Sequence, residues 1–263
     1  MSRMLTACWQ TFRYLGLSLG DTLLPRGCQA CGESLQANDH NLCPLCWRAL
    51  QAAIGDGSYC PRCGASIGEF TDPTGGCNRC RGFTFAYQRL ARVGLHRGPL
   101  AQMIRALKFR RQAHTARFLA QLLFQSLQGA GLAARRADLA EQFDLITWVP
   151  LHWLRRWLRG YNQAELLARR LAALSRHPAK PLLRRTRWTV PQTHLSRQAR
   201  LANVRGAFAL RRSLSLDGHL AGKRILLIDD VLTTGATASE ASRVLRAAGA
   251  QVSVAVLAVA AGF

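Results

Sequence analysis

One segment limits the architecture more than any other: Arg224-Ile-Leu-Leu-Ile-Asp229-Asp230-Val-Leu-Thr233-Thr234-Gly235-Ala236-Thr237. Ile225–Ile228 is an unbroken apolar run of strand length, as expected for a strand buried on both faces, and a strand is predicted over Arg224–Ile228. Two adjacent carboxylates follow, and a Thr/Gly turn then opens a helix predicted over Ala236–Ala248, with a further strand at Gln251–Val259. That order predicts an α/β fold with a parallel sheet flanked by helices, in which ligands bind beyond the carboxyl ends of the strands. Gly235 lets the backbone approach an anion, the helix N-terminus offers free N–H groups, and the threonine hydroxyls complete a phosphate cradle. Asp229 and Asp230 repel phosphate, so their partners are hydroxyls and a divalent cation. A vicinal diol beside a phosphate, as in ribose 5-phosphate, satisfies both halves. No GxxxxGK[ST] loop is present, and only 33 residues follow Asp230, too few for a receiver-type domain.

The rest of the chain beyond Phe83 fits the same class. Tyr87–His96 reads as a strand, and Leu100, Met103, Ile104 and Leu107 form a helical stripe. Ala116–Leu127 reads as a second helix, and Asp144–Val149 as a strand ending at Pro150. Asn162 can cap a helix whose apolar side runs through Ala164, Leu167, Ala168 and Leu171. Arg184–Arg205 is polar and arginine-rich and breaks the pattern; a loop of that length in a compact domain usually has a function.

Eight of the nine cysteines form four CxxC pairs: Cys28/Cys31, Cys43/Cys46, Cys60/Cys63 and Cys77/Cys80. A CxxC turn aims two sulfurs at one centre, and two turns complete a tetrahedral zinc site with no open position, so two structural Zn2+ ions are expected. The gaps between pairs do not decide which share a metal. A weak repeat, Cys28-Gln-Ala-Cys31-Gly32 against Cys60-Pro-Arg-Cys63-Gly64, favours two sequential ribbons over an interleaved pair. A module with so few large apolar residues needs such a staple. His40 is expected on the surface, and Cys8 as a packing thiol on an amphipathic helix over Met4–Leu24. The predicted organisation is a lead-in over 1–27, a double zinc ribbon over 28–82 and an α/β domain over 83–263.

Charge narrows the partners. The formal net charge is +22, yet Cys28–Cys80 holds three Arg against five acids, while Leu145–Leu216 holds fifteen Lys/Arg against Glu165 alone. The basic character belongs to the larger domain and predicts a polyanionic ligand or partner. No run approaches the roughly 18 apolar residues of a membrane span. No export signal is recognisable, and thiols spaced for metal predict a reducing, cytoplasmic setting.

Taken together, these motifs resemble the ComF/GntX (competence protein F) family, which joins a double zinc ribbon to a type I phosphoribosyltransferase domain. The resemblance runs from Leu24 onward through Pro25-Arg26-Gly27-Cys28, Gly98-Pro-Leu with Leu107-Lys108-Phe109, Val149-Pro-Leu-His152, Arg159-Gly160-Tyr161-Asn162-Gln163-Ala164, and Pro191-Gln192-Thr193 with Leu195-Ser196-Arg197. Asn203 and Arg205-Gly206-Ala207-Phe208 complete the set. It implies binding of phosphoribosyl pyrophosphate (PRPP) with Mg2+. Asp229 and Asp230 would be the catalytic pair on the ribose hydroxyls, and Thr233, Thr234, Gly235, Ala236 and Thr237 would bind the 5′-phosphate. Leu151, His152, Arg155, Arg156, Arg159 and Gly160 are the pyrophosphate-loop candidates. Trp188, Arg197 and Arg200 belong to a hood over the site. The resemblance also implies a role in DNA uptake or use of external DNA, with single-stranded DNA and the uptake machinery as partners. Two alternatives stay open at this level: a nucleic-acid-binding accessory whose catalysis has lapsed, and a nucleobase salvage phosphoribosyltransferase. The acceptor of phosphoribosyl transfer is not legible.

Overall fold

The computed structural model describes residues 27–36, 39, 41–55, 58–68, 71, 75–109, 112–133, 139–189, 197–211 and 220–260. The lead-in over Met4–Leu24, Cys8, His40 and Pro191-Gln192-Thr193 lie outside them. In chain order come helix α1 (Pro44–Ile54), strand β1 (Leu90–Leu95), helices α2 (Gly98–Phe109), α3 (Thr115–Gly129) and α4 (Leu139–Gln142), and strand β2 (Leu145–Trp148). Then follow α5 (Trp153–Arg159), α6 (Gln163–Ser175), β3 (Leu183–Arg185), α7 (Arg197–Val204), β4 (Phe208–Leu210), β5 (Arg224–Leu232), α8 (Ala236–Ala247) and β6 (Gln251–Val259).

The two most apolar strands take the centre. β1, β6, β5 and β2 lie side by side in that order, all parallel, with Leu227 opposite Val254 and Ile228 opposite Ala255. Successive side chains point to opposite faces, and each face has its own cover. Leu226 and Ile228 face a core completed by Leu100, Leu107, Leu119 and Leu167 of the flanking helices. Ile225 and Leu227 face Ala241 and Leu245 of α8, together with Leu183 and Phe208 of a small antiparallel ribbon formed by β3 and β4.

Two expectations are corrected. β5 does not stop at Ile228: Asp229, Val231 and Leu232 stay paired with Val256, Ala258 and Val259, so the acids belong to the strand itself. The Arg184–Arg205 stretch is not wholly irregular either. Leu183 and Phe208 have a buried place to go, and Val204 anchors α7, which gives short elements to a segment without periodicity.

The position of α6 fixes one side of the site. Asn162 Oδ1 accepts from Ala164 N at 3.0 Å as the expected cap, while its Nδ2 donates to the Val149 carbonyl at 3.0 Å. The helix start is thereby tied to the end of β2. Tyr161 adds a second tie, its hydroxyl donating to the Leu107 carbonyl of α2 at 2.5 Å.

Candidate functional site

The cysteines gather into two groups, Cys28/Cys31/Cys43/Cys46 and Cys60/Cys63/Cys77/Cys80, with the four sulfurs of each within 4.8 Å of one another. The sequential pairing is the one the repeat favours. A tetrahedron of roughly 2.3 Å Zn–S bonds has S–S edges of about 3.8 Å. The Sγ atoms of Cys31 and Cys43 are 3.9 Å apart, those of Cys60 and Cys80 3.7 Å, and those of Cys63 and Cys77 3.5 Å. The donor sets therefore fit structural zinc. Their local geometry repeats as well. Cys28 N donates to Glu33 O and Gly32 N to Cys28 O; Cys60 N donates to Ala65 O and Gly64 N to Cys60 O. Burial alone would raise the Cys60 thiol, but N–H groups of Cys63, Arg62 and Cys77 outweigh it and bring it to about 7. Burial and the neighbouring Cys60 push Cys80 up to about 11. Without a cation, the four sulfurs cannot all be thiolates.

At the carboxyl ends of the strands lies a cleft of about 490 Å³, bounded by the β5–α8 turn, the end of β2 and the start of α6. Asp229, Asp230, Thr233, Gly235, Ala236 and Thr237 all line it. Gly235 is the N-cap of α8 with φ 75°, and a Cβ there would stand 2.7 Å from Phe85 Cε1, so only glycine leaves room for the turn. No acid lies in the first turn of α8, which leaves its positive end uncompensated. Thr234 lies beside the cleft rather than on it; its Oγ1 is buried and has no hydrogen-bond partner.

The acids are held differently. Burial, then the neighbouring Asp230, pushes the Asp229 carboxyl up to about 7, while its Oδ1 accepts from Asp230 N at 2.8 Å. Asp230 pairs with Lys108 Nζ at 3.0 Å. Burial and nearby Lys108 lower the His96 imidazole on the same wall. Arginines line the same cleft: Arg155, Arg159, Arg185 and Arg200. Burial, then Arg155, brings Arg185 down to about 10. A cleft with an acid pair at one end and several cations around it suits a ligand with both hydroxyls and phosphates.

Comparison with known proteins places the chain. Residues 19–81 match the double zinc ribbon domain, and residues 159–262 match the phosphoribosyl transferase domain. The chain is 34% identical over 228 residues to DNA utilization protein YhgH of Salmonella typhi, covering 86% of this chain and 93% of that protein. It is 32% identical over 228 residues to competence protein F of Haemophilus influenzae, covering 85% and 92%. The chain belongs to the competence protein F family. A shorter match, 55% identical over 40 residues, joins it to an orotate phosphoribosyltransferase of a Nocardioides species, covering 15% of this chain and 22% of that one.

Within this competence protein F family member, the remaining sequence candidates divide in two. Leu151, Arg155, Arg159 and Arg200 line the cleft. His152 instead caps α5, accepting from Leu154 N at 3.4 Å. Arg156 faces outward and pairs with Glu165 at 3.3 Å. Gly160 is the left-handed C-cap that turns α5 towards α6, and Trp188 rests under Arg155 at 5.0 Å on the rim. Arg197 begins α7. Lys108, His96, Gln163 and Arg185 line the cleft without having been singled out from sequence. Lys108 and Gln163 stand inside motifs that carry the family resemblance, which was the available signal. Gln163 is buried, and its Nε2 has no partner. For Arg185 the only sequence signal was the arginine-rich Arg184–Arg205 stretch as a whole, because a three-residue strand carries no pattern that marks one of its residues.

Proposed function

We propose that the cleft binds PRPP and that the chain is a phosphoribosyltransferase-like protein acting in the cytoplasm in DNA uptake or use of external DNA. One observation carries the pocket: a carboxylate pair on β5 runs directly into a glycine turn and an uncompensated helix N-terminus, all lining one cleft. Thr233, Gly235, Ala236 and Thr237 take the 5′-phosphate through N–H and hydroxyl donors, and Thr234 shapes the turn behind them. Asp229 and Asp230 accept from the ribose hydroxyls. Arg155 and Arg159, with the turn at Leu151, hold the pyrophosphate through forked N–H donors. His152, Arg156 and Gly160 act behind them by setting α5. The names of the relatives, a DNA utilization protein and a competence protein, support the cellular role.

The carboxylates are hard oxygen donors of the kind Mg2+ takes, and burial together with the neighbouring Asp230 raises Asp229, a cost that a divalent ion would offset. Asp230 is already neutralised by Lys108, so Asp229 is the acid with the greater need. When bound, Mg2+ neutralises charge on the departing pyrophosphate. The protein's own part is positional: arginines stabilise the leaving group, and the Trp188–Thr189 segment and Arg200 limit water over the cleft.

Calorimetry with PRPP and Mg2+ tests this. Wild type should bind in the micromolar range, about −8 kcal/mol, and Asp229→Ala/Asp230→Ala should abolish binding. Equal binding by both removes the pocket reading. Among the described residues, no helix is long and apolar enough to cross a membrane.

A further inference from the structure

Gln163 is the first residue of α6 and lines the cleft. It is 1% exposed, yet its Nε2 donates to nothing among the described residues. Buried amide N–H groups are nearly always hydrogen-bonded, because an unmet donor has lost water and gained no replacement. An orphaned donor on the wall of a binding cleft therefore points to a partner that arrives with the ligand. The side chain starts from a fixed base. Asn162 ties the helix start to the Val149 carbonyl at 3.0 Å, and Tyr161 ties it to the Leu107 carbonyl at 2.5 Å. Lys108, the next residue of α2, pairs with Asp230 at 3.0 Å. On the other side, α6 follows closely on α5, whose Arg155 and Arg159 line the same cleft. These ties set Gln163 in the corner between Asp230 and the arginines.

We propose that Gln163 is a specificity-determining residue that donates to the ribose 2′-hydroxyl, so that the cleft selects ribosyl over 2-deoxyribosyl phosphates. A phosphate oxygen only accepts, and the Asp230 carboxylate repels it. A hydroxyl both donates and accepts, so one group can donate to Asp230 while accepting from Gln163 Nε2. The 2′-hydroxyl is the one beside C1′, the carbon that bears the pyrophosphate, and so lies towards the arginine side of the cleft. A carboxamide suits this corner because it is neutral and leaves the charge balance of Lys108 and Asp230 undisturbed. Sites built to hydrogen-bond a hydroxyl strongly reject the analogue without it, since their own buried groups are then left unpaired. Sugar phosphates derived from DNA lack that hydroxyl, so the cleft passes them over. The inference deepens the sugar-phosphate part of the proposed function and rests on that reading.

The test is calorimetry on the zinc-loaded full chain with Mg2+, comparing ribose 5-phosphate, 2-deoxyribose 5-phosphate and PRPP. Wild type should prefer ribose 5-phosphate to its 2-deoxy analogue at least about thirtyfold. Gln163→Leu should cut that ratio about tenfold. Because leucine replaces an unpaired amide by an apolar group of similar size, the ligand-free variant should melt no lower than wild type and keep both zinc ions. Gln163→Glu keeps the length but loses the donor, and should cut the ratio at least as far. An undiminished ratio in either variant overturns the assignment, as does equal weakening of both sugar phosphates. A fall confined to the preference for PRPP over ribose 5-phosphate puts the amide on the pyrophosphate and overturns it too. Wild type that binds both sugar phosphates alike overturns this inference and leaves the pocket standing. Wild type that binds none of the three ligands overturns both.

Discussion

The two cysteine clusters begin from the same spacing and end in different surroundings. In the first, Cys28 is buried, Cys43 and Cys46 are half-buried and Cys31 is exposed; its neighbours Leu42 and Leu50 join the core beneath α2 and α3. In the second, all four cysteines are buried and, with Ala65, form a small core of their own against which Ile67 and Phe85 pack. That second core reaches the β5–α8 turn. The Arg62 carbonyl, inside a CxxC turn, accepts from the Tyr87 hydroxyl at 2.8 Å, and Tyr87 stacks on Phe85 at 5.1 Å. Phe85 fills the space where a Cβ on Gly235 would stand. Ala86 N donates to Ser239 Oγ on the first turn of α8 at 3.0 Å, a second strut from the same segment. Identical ligand chemistry thus packs on the main core in one case and beside the β5–α8 turn in the other.

Breaking each cluster separately puts the contrast to its hardest test. Cys63→Ser should lower the melting temperature by at least about 10 °C, given the folding energy a structural zinc supplies. It should also leave one zinc per chain and weaken PRPP binding. Cys31→Ser, at an exposed corner, should cost only about 2–4 °C and leave PRPP affinity at the wild-type value. Equal losses of affinity in the two variants would erase the distinction. Phe85→Ala probes the strut without touching a ligand thiol. About 2 kcal/mol of stability and about tenfold in PRPP affinity should go, with both zinc ions retained. Gly235→Ala sharpens the contact itself: its clash with Phe85 should make it less harmful in the Phe85→Ala background, with a coupling on the order of 1 kcal/mol by denaturant melts. Strict additivity would mean the two residues do not touch.

The smallest effect separates the acid end of the cleft from both metal sites. Asp229 keeps its proton in the fold up to about 7, whereas the unfolded chain releases it near the ordinary 3.8. Between those values the native state binds more protons, so stability is greatest at the acid end and declines as pH rises to about 7. Asp229→Asn should remove that decline, and should do so equally in the Cys31→Ser background. Urea melts across the range would detect a decline that survives, and with it an error about which group is buried uncharged.

Sequence revealed most where one physical demand dominated. β6 is readable over Gln251–Val259 because a doubly covered strand must be apolar throughout, and Asn162 is readable as a cap because its alternatives are poor. Helix α1 escaped notice: Pro44 and Cys46 read as metal-site punctuation, and only Leu50 and Ala53 turn inward. Helix α5 escaped because none of its side chains is buried, so no stripe points at the core. β3 and β4, three residues each, lie too far apart in the chain for a local pattern to join them. In the cleft, the β5–α8 turn was legible because its residues are contiguous. Lys108, His96 and Arg185 were not, since only folding brings them to Asp230 and Asp229 from separate elements.

The exposure of Cys31 sets two different clocks for metal loss. A chelator can attack the first cluster from solvent through that open corner, whereas the second yields its ion only when the surrounding structure opens. Zinc should therefore leave in two phases, and the protein should pass through a one-metal form in which the cluster beside the β5–α8 turn is still intact.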